Sequence, residues 1–169
     1  MQFQKDLMVV NDLQTALVSE IKDILSDLIN TGNCESRTGF NGYAQFLPVL
    51  VNDDDDPDQF FPYFIVRING GKTADDNDLW EVEADILVGV HDEDTGNAGH
   101  AHIMNAINRI VTRFCQEPTL GTPGYKAFRC MPDMEWALQD EDTYPYYFGS
   151  VRLKFMVPKP GRRTIPYAF

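Results

Sequence analysis

The stretch that decides the fold is residues 80–91, which read WEVEADILVGVH. Apolar and mostly polar residues alternate along it with a period of two, as in a β-strand that buries one face and exposes the other. The buried set would be Trp80, Val82, Ala84, Ile86, Val88 and Val90, and the other set Glu81, Glu83, Asp85, Leu87, Gly89 and His91. The sequence therefore predicts a sheet with one apolar face.

Three further segments predict strands of the same sheet. Residues 60–68 are almost wholly apolar and aromatic, as in a strand covered on both faces or covered by another subunit. The glycine-rich residues 69–71 predict a turn after it. Residues 125–138 predict a strand with a bulge at Pro132, and residues 146–157 alternate like the first stretch. Residues 34–51 follow no period and are predicted to be irregular.

Two amphipathic helices are expected. In the first, Asn11 reads as the N-cap and Gly32 as the stop, while the second should run from Thr95 or Asn97 to about Gln116. Their apolar stripes are Val10, Leu13, Leu17, Ile21, Ile24 and Leu28, and Ile103, Ile107, Ile110 and Phe114. The predicted fold class is α+β: a largely antiparallel sheet with two main helices packed on one face, forming one domain over 1–158 and leaving 159–169 as a tail.

Composition narrows the function classes. The chain has 169 residues and a formal net charge of −12, which argues against affinity for free nucleic acid because phosphate contacts need clustered Lys and Arg. No stretch approaches the ~20 apolar residues of a membrane span, so a cytoplasmic protein without membrane contact is expected. Cys34, Cys115 and Cys130 form no metal or disulfide pattern, and the last two read as small core residues.

Three clusters invite an enzymatic interpretation, and each has a simpler one. His91 to His102 contains imidazoles and carboxylates, but His100 and His102 would point about 200° apart on a helix, so a solvated helix start is favoured over a metal site. The run Asp53–Asp56 lacks the spacing of a calcium loop and predicts an exposed acidic loop. The row Glu81, Glu83 and Asp85 is explained by cross-strand pairing with Arg152 and Lys154. No catalytic residue, metal or cofactor is predicted.

Apolar side chains in excess of one small sheet predict a contact with a neighbour. They are Phe60, Phe61, Tyr63 and Phe64 in the strand at 60–68, together with Tyr167 and Phe169 in the tail, which have no evident core partner.

The order of these segments resembles the tail terminator, or tail completion, proteins of long-tailed bacteriophages. The resemblance covers about 60–160 and lies in texture rather than in an invariant signature. The residues that carry it are PYFIVR at 62–67, EADILVGVHD at 83–92, the helix through Ile103 and Ile110, Trp136, PYYFG at 145–149, and Pro158. The acidic residues at 53–58 and 75–78 and the tail depart from plainer members of the family.

The resemblance implies a structural protein without catalytic residues. It implies subunits that form a ring, usually a hexamer, which caps the tail tube and offers the head-joining surface at the tail–neck junction of the virion. Its partners would be further copies of the chain, the tail tube protein and a head-completion or neck protein, with DNA only in transit. Asp53, Asp54, Asp55 and Asp56, with Glu81, Glu83 and Asp85, are then expected to face the channel.

Two alternatives stay open: a neck or head-closure protein of the same assembly, and a small α+β metal-dependent enzyme using His91 to His102. A monomeric binding module is disfavoured by the aromatic excess at 60–64.

Overall fold

The computed structural model describes residues 9–30, 37–73, 79–122 and 125–158. The helices are α1 (Val9–Ile24) and α2 (His100–Gln116), with a short 3₁₀ helix at Pro57–Phe60. The strands are β1 (Ile29–Asn30), β2 (Arg37–Thr38), β3 (Asn41–Ala44), β4 (Tyr63–Lys72), β5 (Trp80–His91), β6 (Thr119–Thr122), β7 (Tyr125–Cys130), β8 (Glu135–Leu138) and β9 (Tyr146–Val157).

The main sheet is mixed but largely antiparallel, as predicted. Its strands lie in the order β3-β4-β5-β9-β7-β6, and β8 also pairs with β9. Among the described strands, only β3 and β4 run parallel to each other. The strands β1 and β2 form a separate two-stranded ribbon. The α+β fold class is therefore confirmed, with a curled sheet at its centre.

Both helices pack against the sheet and share one hydrophobic core with it. Helix α1 contributes the fully buried side chains of Leu13, Leu17 and Ile21, and α2 contributes a buried stripe from Ile103 to Phe114. The inward residues of β5 and β9 complete the core: Val82, Ala84, Ile86, Val88, Val90, Tyr147, Val151, Leu153, Phe155 and Val157. The other face of the sheet, called here the outer face, carries the alternate residues of the same strands.

Strands β5 and β9 have the predicted bounds, whereas β4 does not. It begins at Tyr63 rather than Phe60, and it continues through Lys72. The turn predicted at 69–71 is wrong, because Gly70 and Gly71 pair with Glu83 and Val82 of β5. The register shifts between Ile68 and Gly70, so Asn69 forms a bulge instead of a turn.

The segment predicted as one strand at 125–138 is two strands, β7 and β8, lying end to end against β9. Cys130 pairs with Phe155, and Glu135 pairs with Arg152. The chain therefore advances five residues from Cys130 to Glu135 while β9 advances three. Pro132 lies in this break, so the chain interrupts the strand there and does not form the expected bulge within one strand. The short edge strands β3 and β6 were not predicted.

The helix limits differ from the predicted ones. Asn11 lies inside α1 and not at its N-cap, the helix ends at Ile24, and Gly32 lies outside the described residues. Helix α2 begins at His100, because the preceding Thr95 and Gly96 form a turn instead.

Cys115 and Cys130, both predicted to be small core residues, differ in their burial. Cys130 is buried, and burial raises the pKa of its thiol to about 12. Cys115 is exposed on α2, so its predicted core position is wrong. Cys34 and the tail at 159–169 lie outside the described residues. Among the described helices, none is long and apolar enough to cross a bilayer.

Candidate partner-binding surface

The aromatic residues expected to form a partner surface are divided between the two faces of the sheet. Phe64 points inward, is 0% exposed and lies in the core, so its assignment to an interface is wrong. Tyr63 points outward but is also buried, with its ring over Gly89 of the neighbouring strand. The physical reason is the period of two: adjacent residues of one strand cannot share a face.

Phe61 is the centre of an aromatic cluster on the outer face. Its ring centroid lies 4.9 Å from that of Tyr63, 5.4 Å from that of Tyr146 and 6.2 Å from those of His91 and Phe148. Phe61 is half-buried by these neighbours. Only Phe148 remains 36% exposed. The cluster therefore leaves a small apolar surface.

Phe60 lies in the 3₁₀ helix, half-buried, and its ring meets that of Tyr43 edge to face at 5.9 Å. Tyr167 and Phe169 lie outside the described residues. Of the six residues predicted to form an interface, Phe60 and Phe61 alone are described and incompletely buried.

A larger apolar surface lies where the sequence predicted only irregular chain. Residues 46–51, FLPVLV, are called here the apolar arm. Phe46 is 67% exposed, and Val49 and Val51 are each 85% exposed. No hydrogen bond joins 47–51 to any other described residue. The signal that could have found this arm is an apolar run, interrupted by Pro48, that matches neither a helix nor a strand period.

The arm is fixed to the sheet at its start. The side-chain amide of Gln45 accepts a hydrogen bond from the Ile68 N–H and donates one to the Ile68 carbonyl, at 3.0 and 3.1 Å. The guanidinium of Arg67 lies 5.3 Å from the Phe46 ring centroid. The arm therefore leaves from the β3 edge of the sheet at a defined point.

A second exposed apolar group lies at strand β8. Trp136 pairs in register with Val151, which points inward, so the indole lies on the helix face of the sheet. It is nevertheless 53% exposed. The helices therefore leave this edge of the sheet uncovered.

The acidic row on β5 belongs to a charge-compensated outer face. Across four strands, Arg67, Asp85, Arg152 and Glu135 stand opposite one another in register, so their charges alternate. Arg152 Nε lies 2.9 Å from Asp85 and 3.3 Å from Glu83. The predicted cross-strand pairing is confirmed for Arg152.

Two lysines complete this pattern. Lys72 lies 3.8 Å from Glu81, and Lys154 pairs at 3.0 Å with Asp133 and not with the row. Because cations stand among the carboxylates, the row does not present the free acidic surface expected of a channel lining.

The Asp85 carboxylate in this row has a lowered pKa. Burial alone would raise its pKa, but hydrogen bonds from Arg152 and Asn69 and the charges of Arg152 and Arg67 outweigh burial and lower the pKa. The carboxylate thus stays ionised on the sheet.

Exposed carboxylates are found instead in the loop at 53–56. Asp53, Asp54 and Asp56 are exposed, and none of the four residues lies in a helix or strand, as predicted. Asp56 caps the 3₁₀ helix by accepting the Asp58 N–H at 2.9 Å. Asp58 in turn accepts the Tyr146 hydroxyl at 2.7 Å, and this bond raises the pKa of the tyrosine.

The His91 to His102 region forms local pairs. His102 Nε2 lies 3.2 Å from the buried carboxylate of Asp92, and His91 Nε2 lies 3.6 Å from Glu93. His100 is exposed. Among the described residues, no three His, Cys, Asp or Glu side chains come together in a way that could hold a metal ion.

The sequence matches no profile of a known protein family. A search of characterised proteins also found no significant match.

Proposed function

We propose that this protein is a tail terminator of a long-tailed bacteriophage: a structural subunit that forms a ring on the end of the tail tube, fixes its length and joins it to the head. The order of segments at 60–160 supports this role, as does the α+β fold with a largely antiparallel sheet. A hexamer at the tail–neck junction is the proposed assembly. No catalytic role is proposed.

The observation that carries the proposal is the apolar surface outside the core. Val49 and Val51 are 85% exposed and Trp136 is 53% exposed, although the same chain buries a complete core elsewhere. Large exposed apolar groups of this kind mark contacts between proteins. The arm and Trp136 lie at different strands of the sheet, as subunits of a ring require.

The proposed partners are further copies of the chain, the tail tube protein and a head-completion or neck protein. DNA passes the ring without binding it, and the exposed acid of 53–56 is the proposed channel-facing part because like charges repel the phosphates.

Deletion of the gene tests the proposal. We expect tails of uncontrolled length that do not join heads, and a copy of the gene supplied in trans should restore both properties. Electron microscopy of the deletion lysate measures length and joining separately. Tails of normal length that remain unjoined would indicate the neck protein instead, and normal joined particles would refute a role in the tail.

The alternative of a metal-dependent enzyme has its own test. Elemental analysis of the dialysed protein should find no stoichiometric zinc, manganese or calcium. One metal per chain that is lost in His102→Ala would favour the enzyme.

A further inference from the structure

We infer that the apolar arm of one copy adds as an extra strand to the open edge of β8 in a second copy and covers Trp136 there. This deepens the proposed ring by naming the contact between its subunits, and it rests on that proposal only for its biological setting.

The arm has the properties of a donated strand. Its residues 47–51 make no hydrogen bond with other described residues, so their backbone groups are free to pair. Six extended residues span roughly 20 Å, which exceeds the four residues of β8. Pro48 lacks a donor, but proline is tolerated in an edge strand when that position faces away from the ladder.

The edge of β8 has the properties of an acceptor. Within the described residues, β8 pairs with β9 alone. The Gln139 N–H bonds the Phe148 carbonyl, so the period of two turns the N–H groups of Trp136 and Leu138 away from β9. An open strand edge with free donors and acceptors pairs readily with an extended segment.

A second copy is the occupant that satisfies both features at once. The arm leaves from the β3 edge, and three strands, β4, β5 and β9, separate β3 from β8. At about 4.8 Å for each step, the two edges lie roughly 19 Å apart. Each copy therefore presents one arm and one acceptor at different places. Contacts of this head-to-tail kind propagate, and they close into a ring when the rotation allows.

Thiol crosslinking tests the contact directly. Val49→Cys and Ala137→Cys are combined in a chain carrying Cys34→Ser and Cys115→Ser, and a short bis-maleimide is added to the concentrated protein, with and without tails. A ladder of dimers, trimers and larger species is expected. Each single-cysteine variant should give no crosslinked species, because the arm does not meet another arm and the β8 edge does not meet another β8 edge.

Two results would overturn the inference. One is the absence of a ladder under both conditions. The other is dimer formation by Val49→Cys alone at the yield of the double variant, which would indicate a two-fold contact between arms.

Mixing two defective variants gives an independent readout. Val49→Asp disables the arm, and Trp136→Pro removes the indole and one free N–H of the β8 edge. Each variant alone should lose oligomers, whereas their mixture should form dimers that stop at two copies. Trp136→Thr, which keeps the N–H, serves if the proline variant fails to fold by circular dichroism. A mixture that stays monomeric contradicts the arm-to-edge contact.

These outcomes are separate from those of the deletion experiment. A ladder together with normal tails in the deletion strain would refute the tail function and leave the contact standing. Defective tails without a ladder would do the reverse.

Discussion

Replacing Phe64 by Ala should destabilise the fold and not an interface. The ring is 0% exposed, and it lies so close to β3 that a Cβ added at Gly42 would be 2.5 Å from its Cζ atom. Truncating a buried phenylalanine typically costs about 3–5 kcal/mol, because the transfer free energy is lost and a cavity remains. For a domain whose total stability is roughly 5–15 kcal/mol, this is a large fraction.

Phe46→Ala is the matched control, since it removes the same atoms from a ring that is 67% exposed. The loss of its contact with Arg67 should cost no more than about 1 kcal/mol. Urea unfolding followed by circular dichroism measures both variants. In thermal unfolding, Phe64→Ala should lower the midpoint by roughly 6–20 °C, while Phe46→Ala should barely change it.

The two variants should differ in the opposite sense in self-association. Phe46→Ala should weaken crosslinking through the arm, although the chain remains folded. A Phe64→Ala protein with an unchanged urea midpoint would refute the core assignment and return Phe64 to the interface. Equal destabilisation by both changes would contradict the division between core and arm.

Three other changes test the sheet and the acidic loop. Gly149→Val should lower the free energy of unfolding by about 1–3 kcal/mol, because a Cβ at this position would lie 2.5 Å from Cγ2 of Ile103. Gly96→Ala is the control in the same urea titration, since the nearest atom to its added Cβ is 3.4 Å away. The pKa of Asp85 is lower in the folded than in the unfolded chain, so its ionised form stabilises the fold above the unfolded pKa, and this stability is lost as pH falls through the folded pKa. The free energy of unfolding of the wild type should therefore fall more than that of Asp85→Asn between about pH 5 and pH 2. Parallel curves of unfolding free energy against pH would contradict this. Asp53→Lys combined with Asp54→Lys should leave the unfolding midpoint unchanged but slow DNA ejection, whereas ejection at the wild-type rate would remove the channel assignment.

The long central strands could be predicted because their pattern is decided by burial on one face. β5 and β9 alternate over twelve residues each, and the structure gives them those bounds. Their pairing through all twelve positions follows from matched length. A long period-two pattern is insensitive to single exceptions, so one Gly in each strand did not obscure it.

Short or glycine-rich strands could not be predicted, since their stability comes from a partner distant in sequence. β3 is four residues long and contains Asn41 and Gly42, which are poor strand formers, yet it pairs in parallel with β4. Gly70 and Gly71 give a strong local turn signal, but β5 lies beside them and holds them in the ladder. Tertiary pairing outweighs propensity in both cases.

The sequence-based prediction placed the partner interface at the wrong residues for a related reason. A run such as 60–64 looks uniformly apolar, but a strand sends alternate residues to opposite faces, and Phe64 therefore belongs to the core. The most exposed large apolar side chains of the described residues, Phe46, Val49 and Val51, lie instead at 46–51, where the sequence shows no periodicity. An apolar run without a period was the available signal.

The net charge of −12 and the exposed apolar surface belong to different parts of the molecule. On the outer face of the sheet, Arg67, Lys72, Arg152 and Lys154 stand opposite or beside Asp85, Glu81 and Glu83, so that face is nearly neutral. The surplus acid lies in loops such as 53–56, whereas the arm and the β8 edge present apolar side chains and backbone. Contacts made through the arm should therefore persist in high salt, because apolar burial and strand pairing are not screened. Any influence of the acidic loop on DNA should weaken within the same salt range. Along one salt series, the crosslinking yield should thus stay constant while the effect of the acidic loop on DNA ejection declines. A parallel decline of both would refute the division of roles between the β8 edge and the loop.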